Sequence, residues 1–81
     1  KIMKNVGWRD LNEDQLLVVD CHTTQAFLLS HVSCLVWRNL ENNNVDQLIN
    51  IVLEEYDIGR DIAEYDIQKF INDLKSKKLV S

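Results

Sequence analysis

DIAEYDIQKFINDLKSKKLV, residues Asp61 to Val80, is the stretch around which the rest of the chain is organised. Ala63, Ile67, Phe70, Ile71 and Leu74 recur at three- and four-residue spacing, so an α-helix gathers them into one apolar stripe about 100° wide. Such a stripe has to be buried. Asp61 is placed to act as N-cap with Glu64 three positions on, a capping-box arrangement that satisfies orphan amides at a helix start. Lys75, Lys77 and Lys78 fall in the last turns, where positive charge suits the helix dipole.

Working back towards the N-terminus, Asn44 can cap a second helix with Gln47 at its third position, and Val45, Leu48, Ile49, Val52, Leu53 and Tyr56 fit the amphipathic template. Gly59 stands between these two helices, where an exit or turn would use positive φ. Asn42-Asn43-Asn44 ends an earlier helix in which Ser30 is the expected N-cap and Val32, Leu35, Val36 and Leu40 share a face beside Trp37. Before Ser30 the period drops to two. Val6 to Leu11, Gln15 to Asp20 and Thr23 to Leu28 read as three short strands, separated by reversals at Asn12-Glu13-Asp14 and Asp20-Cys21-His22. Three strands followed by three helices give an α+β fold, an antiparallel sheet with helices over one face.

Eighty-one residues read as a single domain, 1–81. A chain of this length buries only roughly 60 to 65% of its unfolded surface, but 46% hydrophobic residues suffice for a compact core, for which Trp8 and Trp37 are both candidates. Nine lysines and arginines face 13 acidic residues, a net charge of -4 that argues against nucleic-acid binding through the overall field. Cys21 and Cys34 are too sparse for a disulfide scaffold and read as the reduced thiols of a cytoplasmic protein. No run approaches the length of a membrane span.

The residues now carry a resemblance. Phe27-Leu28-Leu29-Ser30, Val36-Trp37-Arg38-Asn39-Leu40, Val45-Asp46-Gln47-Leu48-Ile49, Leu53-Glu54-Glu55-Tyr56-Asp57-Ile58, then Asp66-Ile67, Phe70-Ile71, Leu74 and Leu79-Val80 follow one another as in the PqqD-like peptide chaperones. The likeness spans most of the chain from Val6 and is dense from Phe27 onward. The sequence departs at Ser30, where asparagine is usual, at Lys78, where glycine usually precedes Leu-Val, and at its second turn, which lacks the common glycine. The resemblance implies a winged helix-turn-helix-like fold. It also implies a non-catalytic role in the maturation of ribosomally made peptides: the leader of a precursor lies as an added strand along the third strand, over the third helix, and is delivered to a leader protease, radical enzyme or cyclase. The small stand-alone leader-binding proteins of lasso-peptide and radical-enzyme pathways are the most similar branch.

A free edge on Thr23 to Leu28 is a template for another chain, so the backbone of Thr23, Thr24, Gln25, Ala26, Phe27 and Leu28 is expected to hold the leader. Asp66, Lys69, Asp73 and Lys77 repeat at helical spacing beside the apolar stripe and are expected to meet its polar groups, with Phe70 and Leu74 giving its apolar side chains a pocket. The same free edge could pair two copies of the chain in a homodimer. Phe70 and Leu74 also suit plain core, and the charged flank also suits ordinary helix-surface pairs worth about 0.2 to 0.5 kcal/mol each.

Other chemistries fare worse. Cys21, His22, His31 and Cys34 offer zinc-type donors, but adjacent Cys21 and His22 would point to opposite faces of an extended segment, so no metal site is expected. Gly7 and Gly59 make no phosphate loop, and no nucleophile sits in a catalytic context, so neither cofactor nor catalysis is expected. The competing function is a winged-helix DNA-binding regulator. Its recognition segment would bring Asp57, Asp61, Glu64 and Asp66 against phosphates with Arg60 alone to help, which the field opposes.

Overall fold

The computed structural model describes all residues, Lys1–Ser81. Strands β1 (Val6–Asn12), β2 (Gln15–Asp20) and β3 (Gln25–Ser30) come first, and helices α1 (Val32–Asn39), α2 (Val45–Glu55) and α3 (Arg60–Ser76) follow. The sheet is antiparallel in the order β1-β2-β3, so β2 is central and β3 has one edge without a strand partner. The expected α+β, winged helix-turn-helix-like order of three strands and three helices is therefore the one observed.

Period two decides which side of the sheet the helices cover. Leu16 and Val18 are fully buried on β2, while Leu17 and Val19 between them turn outward. Leu16, Val18 and Leu29 pack with Trp37, Leu74, Leu79 and Val80 into one core cluster. A second cluster joins the helices through Val36, Leu48, Ile49, Val52, Ala63 and Ile67. Leu40 and Phe70 pack against both, and α1 and α3 each contribute to the two halves of the core. Each fully buried aliphatic side chain in them stabilises the fold by about 1.5 to 3 kcal/mol.

Polar ties fix the helices over the sheet. The Arg38 guanidinium, in the last turn of α1, pairs with Asp10 at 2.7 Å and donates to the carbonyls of Asn12 and Glu13 at the β1–β2 turn. Asp20 is buried at the end of β2 and accepts from Asn5 Nδ2 at 2.8 Å and from the His22 amide at 2.9 Å, which shapes the turn into β3. The first residues close the far side, with Ile2 bridging to Val80.

Helix ends show where local signals were overridden. Asn44 caps α2 with the full capping box through Gln47, as its sequence signals. The Asp61 capping box does not form, because α3 begins two residues earlier: Gly59 is its N-cap, its carbonyl accepts from Ala63, and Asp61 lies in the first turn. Gly59 has φ -70°, not the expected positive φ, and an added Cβ would stand 2.8 Å from the end of the exposed Asp61 side chain, which can swing aside. Ser30 is not the N-cap of α1 either. It completes β3, and His31 takes the cap position at φ 54° without a side-chain hydrogen bond. Thr23 and Thr24, expected in the third strand, lie in the turn before it, and Thr24 has φ 59°. Trp8 lies on β1, an outer strand of the sheet, opposite Val18, and is 45% exposed, whereas Trp37 is core.

At the end of α3 the Leu79 amide donates to Leu74 and the Lys78 amide to Lys75, the two bonds of a Schellman motif. Leu74 and Leu79 supply its apolar contact inside the core. Lys78 takes the left-handed position at φ 59°, the conformation in which glycine carries no steric penalty.

Candidate functional site

In an antiparallel ladder, successive residues aim N–H and C=O alternately at one neighbour and the other. Two bonds set the phase here: Cys21 N–H donates to Asn5 and His31 N–H to Asp14. With the register Leu16↔Leu29, Leu17↔Leu28 and Val18↔Phe27, this makes Gln25, Phe27 and Leu29 bond to β2. Ala26, Leu28 and Ser30 therefore present their N–H and C=O groups at the open edge. Side chains alternate as well. Phe27 and Leu29 turn towards the helices, while Leu28 points away and is 56% exposed.

Below this edge runs a groove. The Lys77 ammonium sits 5.4 Å from the centre of the Phe27 ring and pairs with Asp73, so the C-terminal end of α3 lies by the start of β3. At the other end of β3 the chain turns into α1, whose Val32, Ser33 and Val36 form one wall of a cavity of about 630 Å³. Its second wall is α3, through Asp66, Lys69, Phe70, Asn72 and Asp73. The floor is apolar, the rim polar. The chain's ion pairs are Arg38–Asp10 and Lys77–Asp73, so Asp66 and Lys69 keep unpaired charges on the rim.

The residues picked out from sequence fall into three groups. Asp66, Lys69, Phe70 and Asp73 meet in the cavity wall, with Lys77 at the end of the same groove. Gln25, Ala26, Phe27 and Leu28 are in the edge strand, whereas Thr23 and Thr24 precede it. Leu74, 2% exposed, lies in the core beneath the groove and contributes no surface to it. Sequence reasoning missed the α1 wall, because Val32 and Val36 read as an ordinary helix stripe, and missed Ser30, taken for a cap. Cys34 is buried at 1% exposure, which pushes its thiol up from its ordinary value, and Cys21 is exposed in a turn; both are free thiols. Nowhere do three His, Cys, Asp or Glu side chains converge as metal ligands. No helix is long and apolar enough to cross a membrane.

An open strand edge above a helix-lined groove defines a peptide-docking class of site. The family of coenzyme PQQ synthesis protein D (PqqD) matches residues 15–80, and the chain belongs to that family. Among solved structures, TbiB1 in complex with the TbiA(beta) leader peptide is 25% identical with a TM-score of 0.89, over 98% of this chain and 92% of that one. Lasso peptide synthetase B1 complexed with the leader peptide superposes with a TM-score of 0.81 over 95% of this chain and 91% of that one, and at 18% identity its likeness is one of fold. No curated protein matches the sequence.

Proposed function

We propose that this protein binds the leader of a ribosomally made precursor peptide and presents it to a maturation enzyme, without catalysing a step itself. The observation that carries the reading is the open edge of β3, with Ala26, Leu28 and Ser30 directed outward above the α1–α3 groove. A leader pairing there becomes a fourth strand and exchanges up to about six backbone hydrogen bonds, two with each outward residue. Its alternate side chains enter the groove, where Phe27, Phe70 and the valines of α1 meet apolar anchors and Asp66, Lys69, Asp73 and Lys77 meet polar ones. The backbone bonds supply affinity and the groove supplies choice. The leader-bound state of TbiB1, the neighbour named above, supports this reading.

The partner enzyme, a leader protease, radical enzyme or cyclase, would then meet the core of the precursor at high effective concentration. The work belongs in the cytoplasm, where precursors are made and thiols such as Cys21 stay reduced. Homodimerisation through β3 would compete for the same edge. Duplex DNA fits less well, since the helix-turn-helix formed by α2 and α3 begins α3 with acids that phosphates repel.

The test is calorimetric titration of the full chain with synthetic leaders encoded by small neighbouring reading frames. Saturable one-to-one binding that a Phe70→Glu variant loses is the expected result. Silence from every leader, with salt-sensitive binding to duplex DNA instead, would replace this function with transcriptional regulation.

A further inference from the structure

Charge is divided along the chain from the end of α2 to the C-terminal end of α3. From the end of α2 to the middle of α3 stand Glu54, Glu55, Asp57, Asp61, Glu64 and Asp66 against Arg60 alone. From there to just past the end of the helix stand Lys69, Lys75, Lys77 and Lys78 against Asp73 alone. Helix-dipole complementarity accounts for only part of this, because it fades within the first and last turns. The acids extend outside α3 altogether, into α2 and the connection between the helices. In the groove itself α3 presents Asp66 at one end, Lys69 and Asp73 between, and Lys77, paired with Asp73, at the other.

We propose that the groove reads the charge polarity of its leader: a basic residue near the N-terminal end of the docked strand and an acidic residue four or six positions later. The inference rests on the leader-binding function above and deepens it. Direction follows from the sheet. β3 runs from the Lys77 end towards the Asp66 end, so a strand added antiparallel starts over Asp66 and finishes beside Lys77.

Spacing follows from two rises. The eleven positions from Asp66 to Lys77 span about 16 Å of helix, which is roughly five residues of strand at about 3.3 Å each. Only even separations put both side chains on the groove face, which leaves four or six. Lys77 is already held by Asp73 and the Phe27 ring, so its ammonium is oriented before a leader carboxylate arrives. The opposite arrangement sets like charges against Asp66 at one end and Lys77 at the other and binds more weakly.

The experiment is selection of random 14-residue peptides, displayed on phage, against the immobilised full chain, followed by affinity measurement on synthetic winners and on copies with the two charges exchanged. Enrichment of basic-then-acidic peptides at the stated spacing is expected, with each binding roughly tenfold more tightly than its exchanged copy. A double variant, Asp66→Lys with Lys77→Glu, should invert that ratio, and the neutral pair Asp66→Asn with Lys77→Gln should bring it close to one; a merely structural role moves neither ratio. Winners without charge order, or with the reverse order, overturn this inference while leaving the peptide groove standing. No enrichment of any peptide overturns the groove reading and this inference together.

Discussion

Replacing Leu28 by proline separates the edge that binds from the ladder that folds. The Leu28 N–H points to the open side of β3, so Leu28→Pro deletes a donor that the protein itself does not use. Proline is tolerated on edge strands for this reason. Binding loses more than one hydrogen bond, because the leader carbonyl that would accept it is left dehydrated without a donor. That costs about 1 to 3 kcal/mol, or roughly a 5- to 150-fold loss of affinity. The neighbouring Phe27→Pro is the contrast. Its amide belongs to the β2–β3 ladder and its ring packs on the core, so unfolding is the expected outcome. Leu28→Ala, which keeps the amide and removes an outward side chain, should bind within a few-fold of the unaltered protein. Fluorescence anisotropy of a labelled leader reads the affinity, and circular dichroism reads the fold. A folded Leu28→Pro protein that binds as tightly as the original, or a stable Phe27→Pro protein, would refute the assignment of the edge.

Further outcomes follow from single contacts. Lys78→Gly relieves a left-handed residue, a cost of roughly 1 to 2 kcal/mol that the added freedom of the unfolded chain offsets in part; urea denaturation followed by the buried Trp37 should show a net gain of about 1 kcal/mol. Arg38→Ala unties α1 from the β1–β2 turn and should lower stability by about 2 kcal/mol in the same assay, and Arg38→Lys, which lacks the planar fork, should recover little of it. The Asn5 amide beside Asp20, with the His22 and Thr23 groups, holds its carboxyl below the ordinary value of 3.8 against the raising effect of burial. A lowered folded-state value means stability that is present above the unfolded value and lost as pH falls through the folded one. The native protein should thus lose stability in the acid range below about pH 4, and Asp20→Asn should flatten that part of a pH-dependent melting curve.

The fold was legible wherever periodicity and packing agree. The apolar stripe of α3, the Asn44 capping box and the buried face of β2 all follow from residue spacing, because each is a local pattern that the tertiary structure reinforces. Boundaries were less legible because tertiary bonds override local preference. Ser30 looks like a cap, yet the register with Gln15 extends β3 through it and pushes the cap onto His31. Asp61 looks like a cap, yet the helix starts two residues sooner, with Gly59 as N-cap and Asp61 inside the first turn. The departure at Lys78 has a backbone explanation that composition alone does not reveal, since its glycine-like φ becomes visible only once the Schellman bonds are seen. Half of the groove was readable as one flank of α3. The α1 wall was hidden, because Val32 and Val36 give the same pattern whether they face core or cavity.

A leader that becomes the fourth strand of the sheet leaves its mark on amide hydrogen exchange, measured residue by residue by NMR. Without peptide, the amides of Phe27 and Leu29 should exchange slowly and those of Ala26, Leu28 and Ser30 quickly. With a saturating leader, the latter three should slow while their neighbours change little, an alternation that only strand addition produces. Tight binding that leaves Ala26, Leu28 and Ser30 exchanging freely would rule out strand addition and move the docking site elsewhere on the protein.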